Sequence, residues 1–199
     1  MAGMQTQRRL GLLCVLPRAR TNCGLIGIYI SFEKAAEAGF YTSADGSNLE
    51  LAFENARNQD RVEINWDNFN RYWGGRITDD QDLKERWAEI IPMYDFDYDP
   101  VKSNAAVEAG IYRHEAHNWC FLYNMPNYDL RPQLPSVTCP TLVTVGRTDW
   151  VTPVSYAETI AELVPNSTLV VFEKSGHSPQ IEEFDLFQEV MRDFLATLD

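Results

Sequence analysis

The apolar pattern of this chain changes period twice. Gly24-Leu-Ile-Gly-Ile-Tyr-Ile-Ser31 is a short unbroken apolar run, rich in β-branched residues, and it predicts a buried strand. Residues 32–132 then turn to helical spacing in short lengths. Ser47-x-x-Glu50 has the form of a capping box and predicts a helix through about Arg57. Thr78-x-x-Gln81 predicts a second through about Ile91. Asp99-Pro100 pairs an N-cap with proline at the first helical position, and Gly110 suits the stop. A further helix is predicted over Ile111 to Tyr123. Aromatic side chains recur through this stretch, among them Trp66, Phe69, Tyr72, Trp73, Trp87, Trp119 and Phe121. They read as the packing between short helices, or in part as the wall of an apolar substrate pocket.

The second change falls at Pro132-Gln-Leu-Pro135 and Pro140. Beyond it the order becomes strand, helix, strand, helix, which predicts an α/β class with a mostly parallel sheet. Thr141 to Gly146 and Ser167 to Phe172 are the two strands. Thr152-Pro153 predicts the start of a helix that runs to about Leu163. Phe184, Phe187, Val190, Met191, Phe194, Leu195 and Leu198 form one stripe at helical spacing, so the last helix is expected to lie against the sheet.

Composition narrows the function classes. The 199 residues suffice for one core, or a core with a small cap. A net charge of −12 argues against nucleic acid and anionic membrane as partners, since both would repel the chain. No apolar run approaches the roughly 20 residues that span a bilayer. Cys14, Cys23, Cys120 and Cys139 show no metal-binding or disulfide-framework spacing, so reduced thiols and a cytoplasmic location are expected. Arg8, Arg9, Arg18 and Arg20 all precede the first acidic residue, Glu33. Residues 1–23 therefore read as a basic leader, either a targeting peptide or an atypical start joined to a truncated domain.

The candidate chemistry lies in two turns. Asp149 follows the first C-terminal strand, three residues past Gly146, and His177 follows the second, directly after Gly176. Functional side chains of open α/β sheets gather at the carboxyl ends of the strands, so both are expected at one edge. Taken singly, the aspartate reads as a turn or helix cap and the histidine as a loop residue. Together, acid before histidine with a helix between, they read as the acid and base that activate a nucleophile.

On these segments, residues 24–199 resemble the C-terminal part of the α/β-hydrolases of proline iminopeptidase type, a serine peptidase group. The resemblance implies an incomplete α/β-hydrolase fold: a core strand at 24–31, a helical cap (lid) domain at 32–132, and the end of the core at 133–199. It implies removal of an N-terminal proline from small peptides by a Ser-Asp-His mechanism without cofactor, with Asp149 as acid and His177 as base. Within Tyr112-Arg113-His114-Glu115-Ala116-His117-Asn118-Trp119, it places Glu115 at the position that binds the substrate's free amino group; as an alternative, Glu115 is an exposed helix glutamate. His114, Glu115 and His117 lack the His-Glu-x-x-His spacing of a zinc site, so no metal is expected.

The resemblance also implies a His-Gly-Gly-type loop and a Gly-x-Ser-x-Gly elbow, and the sequence contains neither. No nucleophile is found, and the chain is expected to be inactive alone. The alternatives are a non-catalytic binding protein, one half of a split hydrolase, or an esterase-type relative acting on amides or esters. The strand at 24–31 is expected to expose an unpaired apolar edge, with self-association or a partner chain as the consequence.

Overall fold

The computed structural model describes residues 9–13, 27–32, 35–40, 43–127, 129–137 and 140–197, the first three segments as backbone. Five strands form one sheet in chain order: β1 (Arg9–Leu13), β2 (Gly27–Phe32), β3 (Ala35–Phe40), β4 (Thr141–Gly146) and β5 (Ser167–Phe172). Neighbours β1–β2 and β2–β3 are antiparallel, while β3–β4 and β4–β5 are parallel. Two expectations change here. The edge predicted to lie open at 24–31 is covered, because Arg9–Leu13 pairs along β2 from Ser31 back to Gly27. The stretch 32–132 is not helical from its start, because β3 occupies 35–40 and joins β2 to β4. Residues 24–26 of the predicted strand and Leu198 of the last-helix stripe lie outside the described residues, as do Cys14, Cys23 and Cys139.

Between β3 and β4 the chain builds a helical layer: α1 (Asn48–Asn58), α2 (Trp66–Trp73), α3 (Asp80–Ile90), α4 (Pro100–Ala109) and α5 (His114–Trp119). The caps explain the boundaries. Asp99 accepts the N–H groups of Val101 and Lys102, as its place before Pro100 predicts. Asp79, one residue past the predicted Thr78, accepts from Asp82 and opens α3. Ser47 precedes α1, but its hydroxyl bonds Asp45 instead of closing a capping box. Helix α2 has no capping box in the sequence; it starts because Asn65 accepts the Asn68 N–H. Helix α5 continues through a wide turn over Cys120–Asn124 and a tight one over Met125–Asn127. The two ends of the layer meet. Asp45 and Asp129 form a bridge, and the Arg131 guanidinium binds both carboxylates, at 2.8 Å and 2.7 Å.

The last segment adds α6 (Val154–Leu163), α7 (Pro179–Glu182) and α8 (Phe184–Ala196). Helix α6 covers β4 and β5 with Ala157 and Ile160, which join Val143, Val145 and Val164 in an aliphatic core. On α8, Phe187 and Phe194 are buried as the stripe predicts, whereas Phe184 is more than half exposed. A second, aromatic core fills the helical layer and includes Trp150 and Val151, the two residues that follow Asp149. The acid turn of the sheet is therefore embedded in the other layer. The reduced-thiol expectation fails at Cys120, which is disulfide-bonded; sequence spacing does not reveal a pairing made through space.

Candidate active site

Parallel pairing of β4 with β5 in register from Thr141↔Ser167 to Gly146↔Phe172 delivers the two following turns to the same edge. They then interlock. A methyl group on Gly146 would lie 1.9 Å from the Gly176 carbonyl oxygen, and one on Gly176 would lie 2.1 Å from that of Tyr94. Only glycine fits at either place, because the obstructing atoms are backbone.

In this junction His177 Nδ1 lies 2.8 Å from Asp149 Oδ2. An ionised carboxylate only accepts, so Nδ1 carries the proton and Nε2 keeps its lone pair in the neutral ring. Asp149 is buried at 6% exposure, and its carboxylate is well supplied with donors. Oδ1 accepts the N–H groups of Val151 (3.0 Å) and Thr152 (2.9 Å), and Oδ2 also accepts the Thr152 hydroxyl (2.8 Å). Thr152, predicted as a helix cap, thus holds the acid instead, while Pro153 occupies the cap position of α6. From α1, Asn55 and Asn48 donate to the carbonyls of Trp150 (3.0 Å) and Val151 (3.1 Å), fixing the backbone of the acid turn. Burial opposes a charged His177, but the Asp149 charge and hydrogen bond, with the Glu182 charge, outweigh it and leave the imidazole pKa raised.

His177 lines a cavity of about 850 Å³ between the two layers. Tyr72, Trp73, Trp87, Tyr94 and Phe121 supply aromatic walls, and Asp95, Asp97, Asp99 and Glu182 supply carboxylates, set against Lys102 and Lys174. Tyr94 meets His177 edge to face at 5.2 Å between ring centroids, and burial raises its phenol pKa well above the ordinary value, so it stays protonated. The cavity is therefore equipped to hold an apolar group against rings and a cationic one against carboxylates, beside an imidazole base with a fixed tautomer.

The structure brings Asp149 and His177 together and leaves Glu115 apart. Glu115 is exposed on α5 and is not among the residues that line the cavity. Its neighbours are occupied elsewhere: His114 Nδ1 lies 2.7 Å from Asp80, and His117 packs between Tyr72 and Phe121. Burial pushes the His117 pKa down to about 4, with a partial offset from Asn118. Among the described residues no cluster of three or more metal-binding side chains occurs, and no helix is long and apolar enough to cross a membrane. Asn48, Thr152, Tyr94 and Glu182 were not singled out from the sequence as site residues. Thr152 alone carried a local signal, a hydroxyl three residues after the acid.

Three kinds of similarity to known proteins accompany this geometry. Residues 32–184 match the family model described as the alpha/beta hydrolase fold. The proline iminopeptidase of Heyndrickxia coagulans is 44% identical over 77 residues, covering 39% of this chain and 26% of that protein. A pimeloyl-[acyl-carrier protein] methyl ester esterase of Aliivibrio fischeri is 35% identical over 71 residues, covering 36% and 28%. Among solved structures, an alpha/beta fold family hydrolase from Bacillus anthracis superposes with a TM-score of 0.59 at 22% identity, over 79% of this chain and 57% of that one. The chain spans less than a third of the length of either curated relative, at 26% and 28%.

Proposed function

This chain belongs to the alpha/beta hydrolase fold family, and from that premise we propose that Asp149 and His177 are the acid and base of a Ser-Asp-His hydrolase that removes an N-terminal prolyl residue. The observation that carries the reading is the 2.8 Å bond between His177 Nδ1 and a buried Asp149, on the wall of the cavity. Neutral His177 takes the nucleophile's proton at Nε2. The Asp149 carboxylate holds the tautomer and stabilises the imidazolium that forms, and the proton then passes to the leaving amine. The aromatic wall suits a pyrrolidine ring, and the carboxylate of Asp95 suits the free amino group beside it. The relation to the Heyndrickxia coagulans enzyme supports the prolyl substrate.

The sequence contains no Gly-x-Ser-x-Gly, so on this reading these 199 residues are inactive alone. Acid and base without nucleophile have nothing to activate. The purified chain is expected neither to release a proline arylamide's chromophore nor to react with a fluorophosphonate. Robust turnover or serine labelling would overturn the inactivity. The acid and base roles are tested in the protein from any longer open frame that encodes the elbow before Gly24. There, H177A or D149A is expected to lower kcat/KM for proline arylamide by at least about a thousandfold. A second reading, an esterase, is favoured by the Aliivibrio fischeri relative. Faster cleavage of short methyl esters than of proline arylamide by that protein would establish it in place of the first.

A further inference from the structure

The turn that presents His177 is fastened by groups outside it. Glu182 Oε2 accepts the N–H groups on both flanks of the histidine, Gly176 at 2.7 Å and Ser178 at 3.4 Å. The other oxygen, Oε1, accepts the N–H of Phe96 at 2.5 Å, 86 residues earlier in the chain. A parallel tie runs beside it, from the His177 N–H to the Tyr94 carbonyl at 2.7 Å. Residues 94–96 are held in turn from the far side. The Arg61 guanidinium donates to the carbonyl oxygens of Asp95 and of Phe96, the latter at 3.1 Å. Glu183 completes the set, accepting the Lys174 N–H at 2.9 Å and the Ser175 hydroxyl at 2.7 Å. Two consecutive carboxylates thus hold residues 174–178, and one of them also reaches the helical layer.

The placement of Glu182 is costly for an ordinary surface glutamate. Burial raises its pKa, and Asp95 raises it further, while the three backbone N–H donors oppose the rise without cancelling it. Nothing in its own helix explains this, since α7 has four residues and ends at Glu182. The groups it serves are the flanks of His177. The charged and titratable groups facing the imidazole are Asp149, Glu182 and Tyr94, and Asp95 faces Glu182 from the helical layer, with Lys174 on the same cavity.

We propose that Glu182 is a positioning residue for His177, its carboxylate fastening the histidine turn to residues 94–96 so that the imidazole keeps its bond to Asp149. This rests on His177 being the base. It adds that the base is held in place by the helical layer as well as by the sheet.

The chain has three histidines, which makes the test direct by NMR. A hydrogen-bonded Nδ1–H of His177 gives a far-downfield proton resonance. In E182A that resonance is expected to broaden or vanish, the His177 titration midpoint to fall, and amide exchange at Gly176 and Phe96 to accelerate by roughly tenfold or more. E182Q keeps one acceptor oxygen where the carboxylate has two. It is expected to retain the resonance, lower the midpoint through loss of charge, and accelerate exchange at one of the two amides. A merely structural glutamate would lower the melting temperature and leave the resonance and midpoint where they were. That result in E182A overturns the proposal. If E182A does not fold, E182Q with unchanged midpoint and unchanged exchange at both amides overturns it equally. D149N serves as control, losing the resonance without altering Phe96 exchange. Failure of the base assignment reads separately, as turnover that survives H177A in the elbow-containing protein.

Discussion

In the helical layer the core is built from rings. On α2, Trp73 meets both Phe69 and Tyr72, and Phe69 and Trp73 each meet Trp150, at 6.2 Å and 5.7 Å between centroids. Between β4, β5 and α6 the core is aliphatic: Val143, Val145, Ile160 and Val164. The two materials do different jobs. β-branched residues fill a regular pleated surface and fix where the strands end, which sets the edge on which Asp149 and His177 emerge. Aromatic rings fill an irregular space between short helices and leave a cavity with a shaped wall. Trp150 belongs to the second core while sitting one residue from the acid of the first, so packing in one layer bears on geometry in the other.

The largest effect should come from emptying the ring cluster. Phe69→Ala is expected to cost about 3–5 kcal/mol in urea denaturation. If its cost instead matched that of a surface substitution, the helical layer would not depend on that cluster. Next comes the interlock. Gly176→Ala drives a methyl into the Tyr94 carbonyl and is expected to cost about 1–3 kcal/mol, read in the same denaturation experiment. An unchanged midpoint would show that the layers do not meet rigidly there.

The comparison sharpens further with pH, because the two layers hold histidines of opposite behaviour. His117, in the rings, has its pKa lowered to about 4. Its unfolded state binds the proton more readily, so its contribution is complete above about pH 6.5 and is lost as pH falls through the window down to 4. His177 has a raised pKa beside Asp149. Its contribution is complete below about pH 6.5 and is lost as pH rises through the raised value. Denaturation midpoints of H117F should therefore lose acid sensitivity between pH 6.5 and 4, and those of H177Q should lose a decline on the alkaline side. The smallest effect is expected at Glu115. E115Q should change stability by less than about 0.5 kcal/mol and leave the affinity of a prolyl amide unchanged, followed by fluorescence of the cavity tryptophans. A weakened affinity would return Glu115 to the site.

The same contrast explains what could be read from the sequence. β4 and β5 were legible as short, nearly unbroken apolar runs, α8 because its burial follows the helical period, and the order of Asp149 and His177 followed from the strands that carry them. Helix α2 was missed because its start depends on Asn65, a cap without the reciprocal glutamate or glutamine partner. Strand β3 was missed because Ala35-Ala-Glu-Ala-Gly-Phe40 lacks the β-branched residues that mark strands. Glu182 was invisible for a different reason. It accepts the N–H of Phe96, 86 residues away, besides those of Gly176 and Ser178, and backbone donors leave no trace in residue identity.

The close approach of Gly146, Gly176 and Tyr94 has a practical consequence for engineering. A chimera that imports a foreign helical layer must choose its splice points, and the natural ones are the bridge of Asp45 with Asp129 and its Arg131 clasp. Such a graft would also discard the native Tyr94-Asp95-Phe96 tripeptide, which buttresses the histidine turn from within the exchanged piece. A grafted layer that kept this tripeptide, with Arg61 behind it, would carry its own seat for His177. One that lacked it would have to evolve that seat again before any new cavity could be put to use.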